Sequence, residues 1–421
     1  MIQIFELYPG VTLRCFPDRR FKQGCFSIQF VRPMRREESA LNALIPTVLL
    51  RGCRKYPDMR DIILHLDDLY GASMGALVRR VGDYQTTGIS CSFIEDRFAL
   101  PGDSVLAPMA DFIRQLLLEP VLEEGVFLSR YVESEKRNLI LTIESRLNDK
   151  RAYAAAQMMN KMCAADSYSI PRLGEKKQVA AITPQSAYDH YRKILKESPV
   201  EIFYVGSAQP EQVAELMKDV FRSLERTPCS LPAQTGFTDG GKGEYTEVMD
   251  VTQGKLCMGF VSPITFREGD FAAMQVFNAL FGAGMTSKLF MQVREKLSLC
   301  YDIGSTYYGS KGILAVFSGI DFHQEQLVRE QVLAQLTACQ EGDITDEELT
   351  AAKEALLSQL RATHDSPGAI EGYYATAALS GLALTPAEYM NAVDAVTVED
   401  VAQVARTLMP HTVYFLKGES Q

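Results

Sequence analysis

The sequence predicts an α+β fold of two homologous α/β halves, each a mainly antiparallel sheet covered by helices, the pair enclosing a clam-like cleft. Three observations carry this expectation. Strand-like and helix-like segments alternate along the 421 residues. A local layout occurs twice, in the same order. Between the two copies lies a stretch rich in glycine and proline that has little periodicity.

In chain order, Phe26, Ile28 and Phe30 alternate with polar residues, as in a half-buried strand. FVRP, Phe30 to Pro33, leads into an acid-containing loop and then the apolar run LNALIPTVLLRGC, Leu41 to Cys53. That run suits a core helix, with Pro46 either bending it or lying within its first turn. Long helical stretches are expected around 101–163. Strand-like IFYV, Ile202 to Val205, precedes Val213, Leu216, Met217, Val220, Phe221 and Leu224 at helical spacing. The segment ERTPCSLPAQTGFTDGGKGE, Glu225 to Glu244, then breaks the pattern with two prolines and four glycines. FVSP, Phe260 to Pro263, repeats FVRP, and the distance from Pro33 to Gly52 equals that from Pro263 to Gly282, nineteen residues each. GISCSFIED, Gly88 to Asp96, is likewise matched by GILAVFSGID, Gly312 to Asp321, and further long helices are expected around 322–409. Two compatible offsets indicate a duplication. The expected division is a first half over 1–226, a linker over 227–244 and a second half over 245–421.

Composition narrows the function. The 47% apolar and 23% charged content is that of an ordinary globular protein. A net charge of -10 disfavours nucleic acid, which demands clustered Lys and Arg. The longest nearly apolar run, Ala40 to Leu50, is too short for a membrane span. MIQIFELYPG has no basic region followed by an apolar one, so no signal peptide is expected. The nine scattered cysteines form no C-x-x-C pair and read as reduced thiols, consistent with a cytoplasmic location.

No two of the five histidines, His65, His190, His323, His364 and His411, lie within 40 residues, so no helix offers a metal an i, i+4 pair. More informative is FGAGMTSKLFMQVREKLSLCYDIGS, Phe281 to Ser305. Gly282 and Gly284 predict a tight, backbone-exposed turn, and Thr286 or Ser287 can cap the helix that follows. Neither phosphate-loop pattern is satisfied. Arg294 and, seven residues on, Tyr301 pair a fixed cation with a phenol, which together could polarise a peptide carbonyl or hold an oxyanion.

The run GAGMTSKLFMQVREKLSLCYDIGSTYYGSKG resembles the C-terminal-half signature of the pitrilysin/insulinase-type zinc peptidases, which include the mitochondrial processing peptidases. The duplicated halves and the Gly/Pro-rich junction extend the resemblance over most of the chain. It implies that Arg294 and Tyr301 contact bound peptide near the scissile bond, with Gly282 and Gly284 in the adjoining loop. Active members carry H-x-x-E-H in the first half, two histidines for zinc and a glutamate to activate its water. With Arg51-Gly52-Cys53 laid on the turn that follows this motif, Ala43 and Thr47 stand where the histidines belong and Pro46 where the glutamate does. Glu133 is the nearest match to the third ligand, with Glu135 beside it.

The resemblance therefore implies a chain with no metal and no catalysis of its own. It would be a peptide-binding subunit of a two-chain metalloendopeptidase, the zinc residing only in an H-x-x-E-H-bearing homologous partner. Without that partner a homodimer is possible. The alternative is a catalytically dead scaffold of the same family. A third class, an enzyme using Cys300 or Cys53 as nucleophile, lacks a nearby histidine in sequence.

Overall fold

The computed structural model describes residues 2–419. Two compact units make up the chain. Strands of the first are β1 (Gln3–Tyr8), β2 (Val11–Pro17), β3 (Gln23–Pro33), β4 (Ser73–Val81), β5 (Tyr84–Ile94) and β6 (Val200–Gly206). They form one sheet in the order β1-β2-β6-β3-β5-β4, antiparallel except where β2 meets β6. The second unit contains β7 (Gly243–Val248), β8 (Gly254–Val261), β9 (Asp302–Tyr308), β10 (Ile313–Ile320) and β11 (Met409–Lys417). Their order is β9-β10-β8-β11-β7, with β11 and β7 the one parallel pair. This is the order β4-β5-β3-β6-β2 over again, so the duplication read from FVRP and FVSP is present in strand topology. Both motifs fall at the ends of equivalent strands, β3 and β8. Residues 225–242 form neither helix nor strand. Among the described residues no helix is long and apolar enough to cross a membrane.

Five helices bear on function: α1 (Arg36–Leu49), α2 (Ser129–Ser145), α3 (Lys150–Met162), α4 (Pro184–Glu197) and α5 (Pro367–Ser380). Neither unit is a single run of chain. Residues 145–169, with α3, pack in the second unit, and residues 364–376, with the first part of α5, pack in the first. The first unit keeps residues up to 233 and the second resumes at 234, inside the stretch read as a linker. Met158 and Met162 of α3 are fully buried with Cys257 and Tyr414. Gly259 of β8 makes room for them, since a Cβ there would lie 2.5 Å from the Met162 Sδ. The exchange also changes the reading of β3. Its polar residues Ser27 and Gln29 are as buried as its apolar ones, because the 364–376 segment covers their side of the sheet. Half-burial was the expectation from alternation alone.

Helix α1 faces the first core with Ala40, Leu44, Ile45, Val48 and Leu49, all buried. A fully buried Leu is worth about 1.5–3 kcal/mol, so this face fixes the helix on the sheet. Pro46 lies deep in α1 rather than in its first turn. It has no N–H to offer the Asn42 carbonyl one turn back. The Thr87 hydroxyl of β5 replaces that donor, reaching Asn42 O at 2.6 Å. We expect Thr87→Val to cost about 1–3 kcal/mol, the penalty of an orphaned buried acceptor. In a Pro46→Ala background an amide is restored and the cost of the same change should fall below about 1 kcal/mol. Urea unfolding of the four proteins of this cycle checks it.

Candidate functional site

Two places carry the residues singled out by the sequence, one in each unit. In the first, Ala43 is buried and offers no ligand atom, and neither does Pro46. Thr47 donates its hydroxyl to Leu44 O of its own helix at 2.8 Å. Glu133 on α2 is half exposed and paired with Lys136 at 2.8 Å. Glu135 is the inward carboxylate, ion-paired with Arg51 and hydrogen-bonded by Asn138 at 3.2 Å. Arg51 also donates to Ser134 Oγ at 3.0 Å. A permanent cation one turn beyond Thr47 thus neutralises the inner carboxylate of α2. Neighbouring Asn42 is used up as well: its Nδ2 donates to Gln85 Oε1 and its Oδ1 meets His190 Nε2, both at 2.8 Å. Zinc needs three or more N, S or O⁻ ligands at tetrahedral positions. The side chains at 43, 46, 47 and 133 do not provide them. Among the described residues no three His, Cys, Asp or Glu side chains converge in a metal-ligating group.

The second place is better furnished. Arg294 stands on a π-helical segment, Leu289–Lys296, a rare conformation enriched at functional sites. Ser287 caps its start, the Oγ accepting from Phe290 N at 3.4 Å. The guanidinium lies 4.5 Å from the Phe290 ring centre, its Nε donates to Tyr301 O at 3.0 Å, and Nη1 sits 3.3 Å from Glu295. Nη2 has no protein partner among the described residues. Tyr301 enters the sheet through its N–H to Gly319 O, 2.8 Å, while 60% of the residue stays exposed. Its hydroxyl donates to Asp321 Oδ1 at 3.2 Å. That hydrogen bond, and then the carboxylate's charge, push the phenol above its ordinary range, which keeps it a proton donor. Together with Ser298, Cys300 and Gln324 these groups line an open pocket of about 440 Å³. It adjoins β9, the edge strand of the second sheet.

The glycines differ from the expected backbone-exposed turn. Gly282 is buried, and a Cβ there would lie 2.6 Å from Ser305 Oγ and 2.9 Å from Leu289 Cδ1. Glycine is needed at 282 because the π-helical turn Ala279–Ala283 lies directly against β9. At Gly284 a Cβ would meet nothing nearer than 4.0 Å. Of the cysteines weighed as nucleophiles, Cys53 is buried and Cys300 half-buried, and burial pushes both thiols up, away from the thiolate. Sequence reasoning did not find Arg51, Thr87 or Asp321. Arg51 had a signal, its i, i+4 spacing from Thr47; the other two are distant in sequence from what they serve.

Residues 181–356 match the family model described as the peptidase M16 inactive domain. Over most of its length the chain is similar to metalloprotease-like proteins of that kind. It is 28% identical over 409 residues to a probable inactive metalloprotease of Bacillus subtilis, spanning 97% of this chain and 96% of that one. Its fold is similar to that of a conserved protein from Enterococcus faecalis, with a TM-score of 0.92, 28% identity and coverage of 100% and 99%. A peptidase M16 inactive domain from Pseudomonas fluorescens shares the fold at a TM-score of 0.81 and 17% identity, with coverage of 100% and 98%. In this chain Ala43, Pro46 and Thr47 carry no imidazole or carboxylate.

Proposed function

We propose that this chain is the non-catalytic, peptide-binding subunit of a two-chain zinc metallopeptidase and acts in the cytoplasm. A homologous H-x-x-E-H-bearing partner holds the zinc and the general base. Arg294 and Tyr301 contribute donors to the substrate. The observation that carries this is an asymmetry: Ala43, Pro46 and Thr47 offer no zinc ligand and Glu133 is paired with Lys136, whereas Arg294 and Tyr301 line an open pocket. An edge strand beside that pocket suits an extended peptide, which adds a strand through its main chain. Arg294 would then grip the peptide backbone near the carbonyl that the partner's water attacks, and the Tyr301 O–H, turned from Asp321 to the substrate, would join it in stabilising charge developing on that oxygen.

Reconstitution tests this reading. Mixed with an H-x-x-E-H relative from the same genome, the chain should support peptide cleavage that neither protein achieves alone. Arg294→Ala should lower kcat/KM of the mixture by about 10²-fold, the scale of losing one oxyanion donor. Tyr301→Phe should lower it less, by about tenfold, because Arg294 remains. Both variants matching wild type would refute the assigned roles. The second reading, a scaffold with no peptide dependence, draws on the complete repacking around Asn42 and Thr87. Cleavage in the mixture that ignores Arg294 and Tyr301 would favour it.

A further inference from the structure

Within the first unit, the sheet face under α5 holds a set of donors arranged around one carboxylate. Ser27 Oγ and Gln29 Nε2, both on β3, donate to Glu371 Oε1 at 2.6 and 2.9 Å. Arg79 on β4 forks onto the same group, Nη1 to Oε1 and Nη2 to Oε2, each 2.8 Å. A bidentate guanidinium with two further donors is a strong carboxylate receptor, and strands hold it ready-made. The Glu371 side chain is 5% exposed but that of Arg79 is 35% exposed. Alongside opens a pocket of about 510 Å³, walled by Ser73, Ser90 and Ser92 and roofed by Pro367 and Gly368. There is room for more than a carboxylate.

The segment that fills this receptor is capped by Ser366, whose Oγ accepts from Ala369 N at 3.1 Å, and buries Ile370, but it carries two glycines near its start. In PGAIEGYYATAALS, Glu371 is the one charged residue, and Gly368 and Gly372 flank it. A Cβ at either glycine would meet nothing within 4 Å, and neither has positive φ. Packing and backbone conformation therefore do not demand glycine there. Gly372, past the first turn, still lowers the weight of the helix roughly four- to fivefold relative to alanine, and Gly368 in the first turn adds less.

We propose that Arg79, Ser27 and Gln29 form a binding site for a peptide carboxylate, and that Glu371 occupies it in cis until the start of α5 withdraws. The ligand chemistry is a carboxylate on an otherwise polar, extended segment, supplied by an acidic side chain or by a C-terminus. The two glycines set how often the site is open, and apparent affinity scales with that open fraction. The proposal stands on its own geometry and does not depend on Arg294 or Tyr301.

Fluorescence anisotropy with three labelled peptides of one neutral sequence tests it. One is amidated and carries a single glutamate, one has a free C-terminus and no acidic side chain, and one is amidated and neutral. Glu371→Gln should tighten binding of at least one carboxylate peptide by about tenfold or more, and which peptide gains identifies the source. The neutral peptide should gain nothing, and Glu371→Gln/Arg79→Gln should lose the gain. Gly368→Ala/Gly372→Ala should weaken binding about fivefold or more and slow hydrogen exchange over 370–372 to a similar extent. Arg294→Ala should leave all of this unchanged, which separates this site from the one in the second unit. A folded Glu371→Gln variant that binds no better than wild type would overturn the proposal, as would a gain that survives loss of Arg79. Should Glu371→Gln not fold, the helix-favouring glycine variant decides: unchanged exchange and unchanged affinity would overturn it.

Discussion

Lys311→Met should destabilise the protein by about 3–5 kcal/mol, the cost of leaving a buried charge without its partner. Lys311 follows β9 in the turn before β10, and its ammonium lies 2.9 Å from Asp166 Oδ1, with the two side chains 0% and 1% exposed. It also reaches Thr235 O at 3.3 Å. Asp166 belongs to the 145–169 segment that the second unit receives. Its remaining lone pairs take the Tyr168 and Thr238 amides at 2.8 and 3.1 Å. Removing the cation leaves a buried anion held by two neutral backbone N–H groups. Lys311→Met/Asp166→Asn should recover part of the loss, because the neutral amide oxygen still accepts from backbone while no charge remains buried. Additive single and double costs in urea unfolding would contradict this account.

Acid should weaken the first unit through His190. Burial lowers its imidazole from the usual 6.5 to about 4; the Glu38 charge works against that shift, and Arg32 and Lys193 add to it. Nε2 donates to Asn42 Oδ1, the tautomer required because Asn42 Nδ2 already donates to Gln85. Between pH 6.5 and 4 the unfolded chain binds a proton that the folded one refuses, so stability falls with pH throughout that window. The stability is fully present above 6.5, and its loss amounts to about 3 kcal/mol by pH 4. Glu38 acts in the same direction at the acid end. Burial alone would raise it, but the Lys193 and Arg32 hydrogen bonds hold it lower. Replacement His190→Gln should flatten the slope between pH 6.5 and 4 while leaving the Glu38 contribution below it. An unchanged slope would exclude His190 as its source.

The sheets were legible because FVRP and FVSP close equivalent strands and the runs that pair with them, GISCSFIED and GILAVFSGID, became β5 and β10. The exchange of segments was not legible. The apolar residues of α3 say that it is buried, but they do not say against which sheet. Arg294 and Tyr301 could be paired from their spacing, since one turn and a strand start are local events. Asp321, which orients the phenol, comes from the far end of β10 and has no local signal. Pro46 announced a missing hydrogen bond, yet which group would supply it, Thr87, depends on the register of β5 over α1. In each case, short-range geometry was readable and the partner across the fold was not.

Metal stoichiometry tests the proposal that a partner chain holds the zinc. The purified protein and its mixture with an H-x-x-E-H relative would each be loaded with zinc, freed of excess by gel filtration and measured for bound metal. The chain alone should retain no stoichiometric zinc. The mixture should retain the amount bound by the relative alone, and the Glu133→Ala variant should change nothing. One zinc per chain in the purified protein, lost on Glu133→Ala, would contradict the account.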